Sequence, residues 1–183
     1  MPRIVFSAII SLDGHDANDA FEPAEDDHAY FNALFAASDA IIFDRPNHEL
    51  LVPYWDDLEL DMPGQSPVEA EFARIFRTKP RHVVTDAGTE LEGLATPITG
   101  DVIDSIATLR RTPGQQLLLA CDGDLFARCL DHGLVDEIEA LILPLIAGAG
   151  SAPLAALQKS HRLRLLELRS FESGAVLVRY AVG

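Results

Sequence analysis

Apolar residues along the chain fall into short unbroken runs, and the stretches between the runs repeat at helical spacing. Arg3 to Leu12 is mostly apolar and predicts a central strand that ends in the turn Ser11-Leu12-Asp13-Gly14. His15 to Glu25 is polar, acidic and without period, a loop long enough to close over a site. Tyr30, Phe31, Leu34 and Phe35 then share one helical face, with Glu25, Asp26 and Asp27 in the first turn, where the helix dipole favours carboxylates. Asp39 to Phe43 predicts a second strand. Asp44 to Glu49 opens a short helix with Pro46 near its first position, and Pro53, Tyr54 and Trp55 are expected to end it. Asp56 to Pro67 reads as a loop, Val68 to Phe76 as a helix and Arg81 to Thr85 as a strand. Asp86 to Gly100 is turn-rich, with a short strand near Leu94 to Ile98, and Asp101 caps a helix that carries Val102, Ile103, Ile106 and Leu109 inward.

The next stretch, Gln115 to Gly150, has the order strand, acidic turn, helix, strand. Leu117 to Ala120 is the first strand and Val135 to Leu145 the second, nearly all apolar past Glu139 and so expected to be covered on both faces. Between them, Leu125, Phe126, Cys129 and Leu130 recur at helical spacing, and Gly133 is placed to stop the helix. A binding site is expected at Asp122 to Leu125, where the helix offers its N-terminus. An apolar turn near Leu154 to Leu157 precedes the strands Arg162 to Phe171 and Ala175 to Ala181, which Glu172-Ser173-Gly174 joins as a hairpin. Strands that alternate with helices and then end in a hairpin predict an α/β domain with a mixed central sheet, and 183 residues without a linker predict one domain over 1–183.

Composition narrows the function. A formal net charge of -15 argues against nucleic acid, because phosphate binding needs a basic footprint. No apolar run approaches the length of a membrane span, and the N-terminal run is too short for a signal peptide. Cys121 and Cys129 give neither a disulfide framework nor a metal spacing, so a reducing, cytoplasmic setting is expected and no metal site.

The pattern resembles the dihydrofolate-reductase-like family, specifically the reductase domain of the bifunctional riboflavin-biosynthesis deaminase-reductase and its single-domain relatives. Four places carry the resemblance in order: Ser11-Leu12-Asp13-Gly14, Gly133-Leu134-Val135-Asp136-Glu137, Pro144 through Gly150, and Phe171-Glu172-Ser173-Gly174 before a strand ending in Tyr180. It implies a reductase that uses NADPH or NADH on a flat, pyrimidine- or pterin-like heterocycle, and a homodimer formed through Val135 to Leu145 and the terminal hairpin. It also implies cofactor contacts at Ala8, Arg45, Asn47, Thr85, Asp122, Gly123, Asp124 and Leu125, and a proton donor at Asp26 or Asp27.

Against the family pattern the cofactor stretches are acidic. Asp44 replaces a glycine and Asn47 a hydroxyl residue. Thr85-Asp86 replaces Ser-Arg, Cys121-Asp122 replaces a glycine pair, and Asp16 stands where an aliphatic residue is usual. A β-carbon at a glycine position blocks close backbone approach, and carboxylates repel a polyanionic cofactor. The alternative function is a member of the family that has lost dinucleotide binding and acts as a ligand-binding or interaction module.

Individual residues keep two readings. Arg45 either holds a phosphate or pairs with Asp44, Asp86 or Glu49. Asp26 and Asp27 are proton donors or, in the preferred reading, surface acids that complement the helix dipole. His15, His28 and His48 are expected to be solvated rather than to bind metal. Cys121 is expected to be a buried structural thiol rather than a nucleophile.

Overall fold

The structure, a computed structural model, describes residues 1–60, 63, 65–91 and 93–183. Its elements are β1 (Arg3–Ser11), α1 (Glu25–Ala37), β2 (Ala40–Asp44), α2 (Arg45–Asp57), α3 (Pro67–Arg77), β3 (Arg81–Val84), β4 (Ala95–Ile98), α4 (Val102–Leu109), β5 (Gln116–Ala120), α5 (Gly123–Asp131), β6 (Glu137–Leu143), β7 (Leu163–Ser170) and β8 (Val176–Val182). The strands form one eight-stranded sheet in the order β4-β3-β2-β5-β1-β6-β8-β7. All neighbours pair in parallel except β6–β8 and β7–β8, so the sheet is mixed and ends in the expected antiparallel hairpin.

Strand alternation divides the core between the two faces of the sheet. Ile41, Phe43 and Leu118 pack with Leu34, Phe35, Val52, Phe72 and Phe76 from α1, α2 and α3. Ile4, Phe6, Ile42, Leu117 and Leu119 turn the other way, onto Val102, Ile106, Leu125, Phe126 and Leu130 from α4 and α5. Phe6 and Phe126 stack at 3.8 Å between ring centroids. The runs Leu117 to Ala120 and Val135 to Leu145 supply interior strands, β5 between β2 and β1, and β6 between β1 and β8.

The helix ends follow from local chemistry. Asp101 accepts from the Asp104 amide and caps α4. After α5, Gly133 takes a positive φ of 67°. Its amide donates to the Leu130 carbonyl, and the Leu134 amide donates to Cys129, which closes the helix in a Schellman motif.

Two expectations are corrected. α2 does not stop at Pro53 but continues to Asp57. Proline inside a helix costs about 3 kcal/mol. The last turn offsets this through Trp55, which packs 4.5 Å from Phe72, and through Asp56, which holds both terminal nitrogens of buried Arg81 at 2.7 Å. β6 is also shorter than Val135 to Leu145. At its start Asp136 turns inward to accept from the Ile4 amide at 2.7 Å, and at its end the Leu145 amide folds back onto the Leu143 carbonyl at 2.8 Å. The loop expected over 56–67 lies in part outside the described residues.

Candidate functional site

β2 and β5 are parallel neighbours, and the chain leaves them for opposite faces: β2 runs into α2 on one side, β5 into α5 on the other. Such a switch point opens a crevice at the carboxyl ends of the strands, with helix N-termini pointing into it. Here a side chain of the protein itself bridges the crevice. Asp44 Oδ1 accepts from the amide (3.0 Å) and side-chain nitrogen (2.8 Å) of Asn47 and caps α2. Its other oxygen, Oδ2, accepts from the Asp122 amide at 2.6 Å. Asp122 in turn caps α5 by accepting from the Leu125 amide at 3.1 Å.

Some of the residues that the resemblance implied for the cofactor adjoin this bridge. Arg45 pairs with Glu49 at 2.6 Å, one turn along α2, and this contact holds its guanidinium above the usual range. Asn47 is engaged by Asp44. Thr85 gives its amide to Ile98 and its hydroxyl to Thr89. Gly123 is buried: a β-carbon there would fall 2.5 Å from the Pro153 carbonyl oxygen, so the 153–156 turn packs directly on the start of α5. Asp124 is exposed, and Leu125 points into the core. Ala8 pairs in register with Ala140 and packs against the α4–α5 side of the core. Beside it, the backbone of the 15–25 loop takes up the end of β1: the Ala17 amide donates to the Ile9 carbonyl at 3.1 Å, and Ile10 bridges Asp16. An open cavity of about 690 Å³ lies at the ends of β2, β3 and β4, bounded by Asp44, Arg45, Thr85, Asp86 and Val102.

The first turn of α1 separates its acids. Asp26 accepts from the Glu172 amide at 3.2 Å and pins the β7–β8 turn. Asp27 is not the expected surface acid, because it is fully excluded from solvent. Its Oδ2 accepts from the Ala24 amide at 2.8 Å, while Oδ1 has no hydrogen-bond partner among the described residues. Tyr30 and Phe31, one turn on, stand edge to face with Phe171 and Phe21. His48 is buried against Phe43, contrary to its expected solvation, because the opening of α2 turns its ring toward the sheet. Burial pushes the Cys121 thiol well up, with Cys129, Asp44 and Asp122 adding to the effect. Among the described residues no group of His, Cys, Asp and Glu could hold a metal ion, and no helix is long and apolar enough to cross a membrane.

Two polar features had escaped the sequence reading. Asp13 accepts from the amides of Ala147 (3.0 Å) and Gly148 (2.8 Å), so the loop after β1 and the loop after β6 are clipped together. Glu139, the last of three acids in the predicted strand and the one that borders its apolar part, is buried beneath α1 near Tyr30 and Arg179. Its place between Ile138 and Ala140, where the apolar run begins, was the available signal for it.

A dinucleotide does not fit these residues as they stand. The Asp122 amide is taken by Asp44, the Leu125 amide by Asp122, and the β-carbon side of Gly123 by Pro153. A phosphate near 4 Å from any of these carboxylates meets a repulsion of about 4 kcal/mol at an effective dielectric of about 20.

The sheet order, the helices on both faces and the terminal hairpin define a dihydrofolate-reductase-like reductase fold. The chain belongs to the RibD C-terminal domain family, whose sequence profile matches residues 2–177. It is 23% identical over 181 residues to the uncharacterized protein YyaP of Bacillus subtilis (strain 168), covering 97% of this chain and 94% of that one. A putative riboflavin biosynthesis protein from Shewanella sp. PV-4 superposes with a TM-score of 0.74 at 20% identity, over 100% of this chain and 99% of that chain. Dihydrofolate reductase from Enterococcus faecalis, solved with NADP(H), superposes with a TM-score of 0.64 at 10% identity, over 99% and 96% of the two chains.

Proposed function

We propose that this member of a reductase-type family binds a flat, pyrimidine- or pterin-like nitrogen heterocycle at the first turn of α1, as a ligand-binding domain that has given up the dinucleotide. The single observation that carries the reading is Asp27 Oδ1, a buried carboxylate oxygen without a partner among the described residues. Such a group needs a hydrogen-bond donor, and a ring or amino N–H supplies one. Phe31 and Tyr30 on the same helical face supply the apolar surface that a flat ring requires. Entry requires the 15–25 loop to lift from β1. Calorimetric titration with a diaminopyrimidine and with a pterin tests this: saturable binding is expected, and Asp27→Asn should weaken it by roughly tenfold or more. Equal binding by both proteins would refute it.

A second reading, an NADPH- or NADH-dependent reductase of the same heterocycle, draws on the cavity beside Arg45 and Thr85 at the strand ends. Asp86 there disfavours a ribose phosphate and favours free ribose hydroxyls, so this reading prefers NADH. It requires the Asp44–Asp122 contact to open, and heterocycle-dependent oxidation of NADH would support it.

A second copy of the chain is the partner we propose for the hairpin. Leu163, Leu165 and Leu168 on edge strand β7 are exposed, beside half-buried Val178 and Tyr180 on β8. Such a face is covered by an interface of about 1,600 Å² in total. Light scattering should show a dimer at micromolar concentration.

A further inference from the structure

We infer that Asp44 is a built-in anion: its carboxylate holds the place at the β2–β5 switch point that a ligand phosphate would take, and so excludes the dinucleotide for which the family fold is shaped. The inference does not depend on what Asp27 binds.

An ordinary helix cap uses one carboxylate oxygen, and Asp44 Oδ1 does that work on Asn47. The second oxygen has a different task. It crosses from the end of β2 to the end of β5 and accepts the Asp122 amide at 2.6 Å. That amide precedes the first turn of α5, where free N–H groups and the helix dipole would otherwise receive an anion. Two further features crowd the same turn. The Asp122 carboxylate holds the Leu125 amide, and the Pro153 carbonyl occupies the side of Gly123 where a β-carbon would stand. Arg45, the nearest cation in sequence, is drawn along α2 to Glu49. Asp86 faces the same cavity as Asp44, so a phosphate entering from that side meets like charge. Any ligand that displaced Asp44 would also uncap α2. The obstruction is therefore part of the helix start rather than a mobile side chain in a groove.

The test is calorimetric titration of NADH and of NADPH into the full chain, wild type against Asp44→Ser and against Asp44→Ser combined with Asp86→Arg. Serine keeps a hydroxyl cap for α2 but is too short to reach Asp122. The Asp122 amide resonance, followed in the same titrations, reports whether that N–H meets the ligand. The wild type should show no saturable binding, and the variants should gain roughly tenfold or more in affinity, with the Asp122 resonance moving. Asp44→Asn, which removes the charge at nearly constant shape, gives a second route should the serine variants not fold, and a smaller gain is expected of it. Wild-type binding as tight as that of the variants would overturn the inference, as would folded variants that gain nothing.

Discussion

Asp44 and Asp122 lie 78 positions apart in sequence, yet the carboxylate of one receives the backbone amide of the other at 2.6 Å. The contact joins the starts of helices on opposite faces of the sheet, so it serves stability as well as selectivity. Asp44→Ala removes a helix cap and strands a part-buried amide. A loss of about 2 kcal/mol in chemical denaturation is expected. A change within about 0.5 kcal/mol would mean that water replaces the carboxylate without cost.

The Asp13 clip predicts a pH dependence. Bonds from the Ser11 hydroxyl and from the Ala147 and Gly148 amides hold the Asp13 carboxyl far below its ordinary value of 3.8. A depressed carboxyl contributes stability above its unfolded value, and the contribution is lost as pH falls through the folded one. The Ala147 and Gly148 amides should therefore keep their hydrogen-bonded shifts in acid well below pH 3.8, and Asp13→Asn should abolish that persistence. Amide shifts that titrate near the ordinary carboxylate value would disprove it.

Glu139 has the opposite sign. Burial raises its carboxyl above 4.5, partly offset by the Tyr30 hydroxyl and the Arg179 guanidinium. The folded state then holds its proton longer than the unfolded chain, so stability falls as pH rises from 4.5 toward the folded value. Glu139→Gln should flatten that part of the stability curve and raise stability at neutral pH relative to wild type. Unfolding curves across this range decide it, and a slope unchanged by the substitution would contradict the assignment.

Arg81 has no exposed side-chain surface, and its charge is met by Asp56 at 2.7 Å. Removing the partner leaves a buried cation unpaired. Asp56→Ala should cost about 3 kcal/mol, far more than an exposed ion pair is worth. Urea denaturation of the variant is the check.

The strands were legible in the sequence because β5 and β6 lie inside the sheet, covered on both faces, and so read as unbroken apolar runs. The Asp101 cap and the Gly133 stop were legible because each acts within a few residues of itself. The burial of Asp27 was also written locally. It shares the spacing of Tyr30, Phe31 and Leu34, although the helix dipole favours an acid at Asp26 and at Asp27 alike. The reach of Asp44 to Asp122 had no local trace, because the strand pairing alone brings the two together. The continuation of α2 through Pro53 likewise depends on Trp55 and Asp56 finding partners on α3 and β3.

The most direct test is a titration of a diaminopyrimidine into the wild-type protein, with and without a large excess of NADPH. A site that held the dinucleotide beside the heterocycle would couple the two by about 1–3 kcal/mol. With Asp27 receiving the heterocycle once the 15–25 loop lifts, and Asp44 closing the switch point, the same affinity is expected in both titrations. An affinity that shifts when NADPH is added would show that the dinucleotide binds, and would contradict the closed switch point.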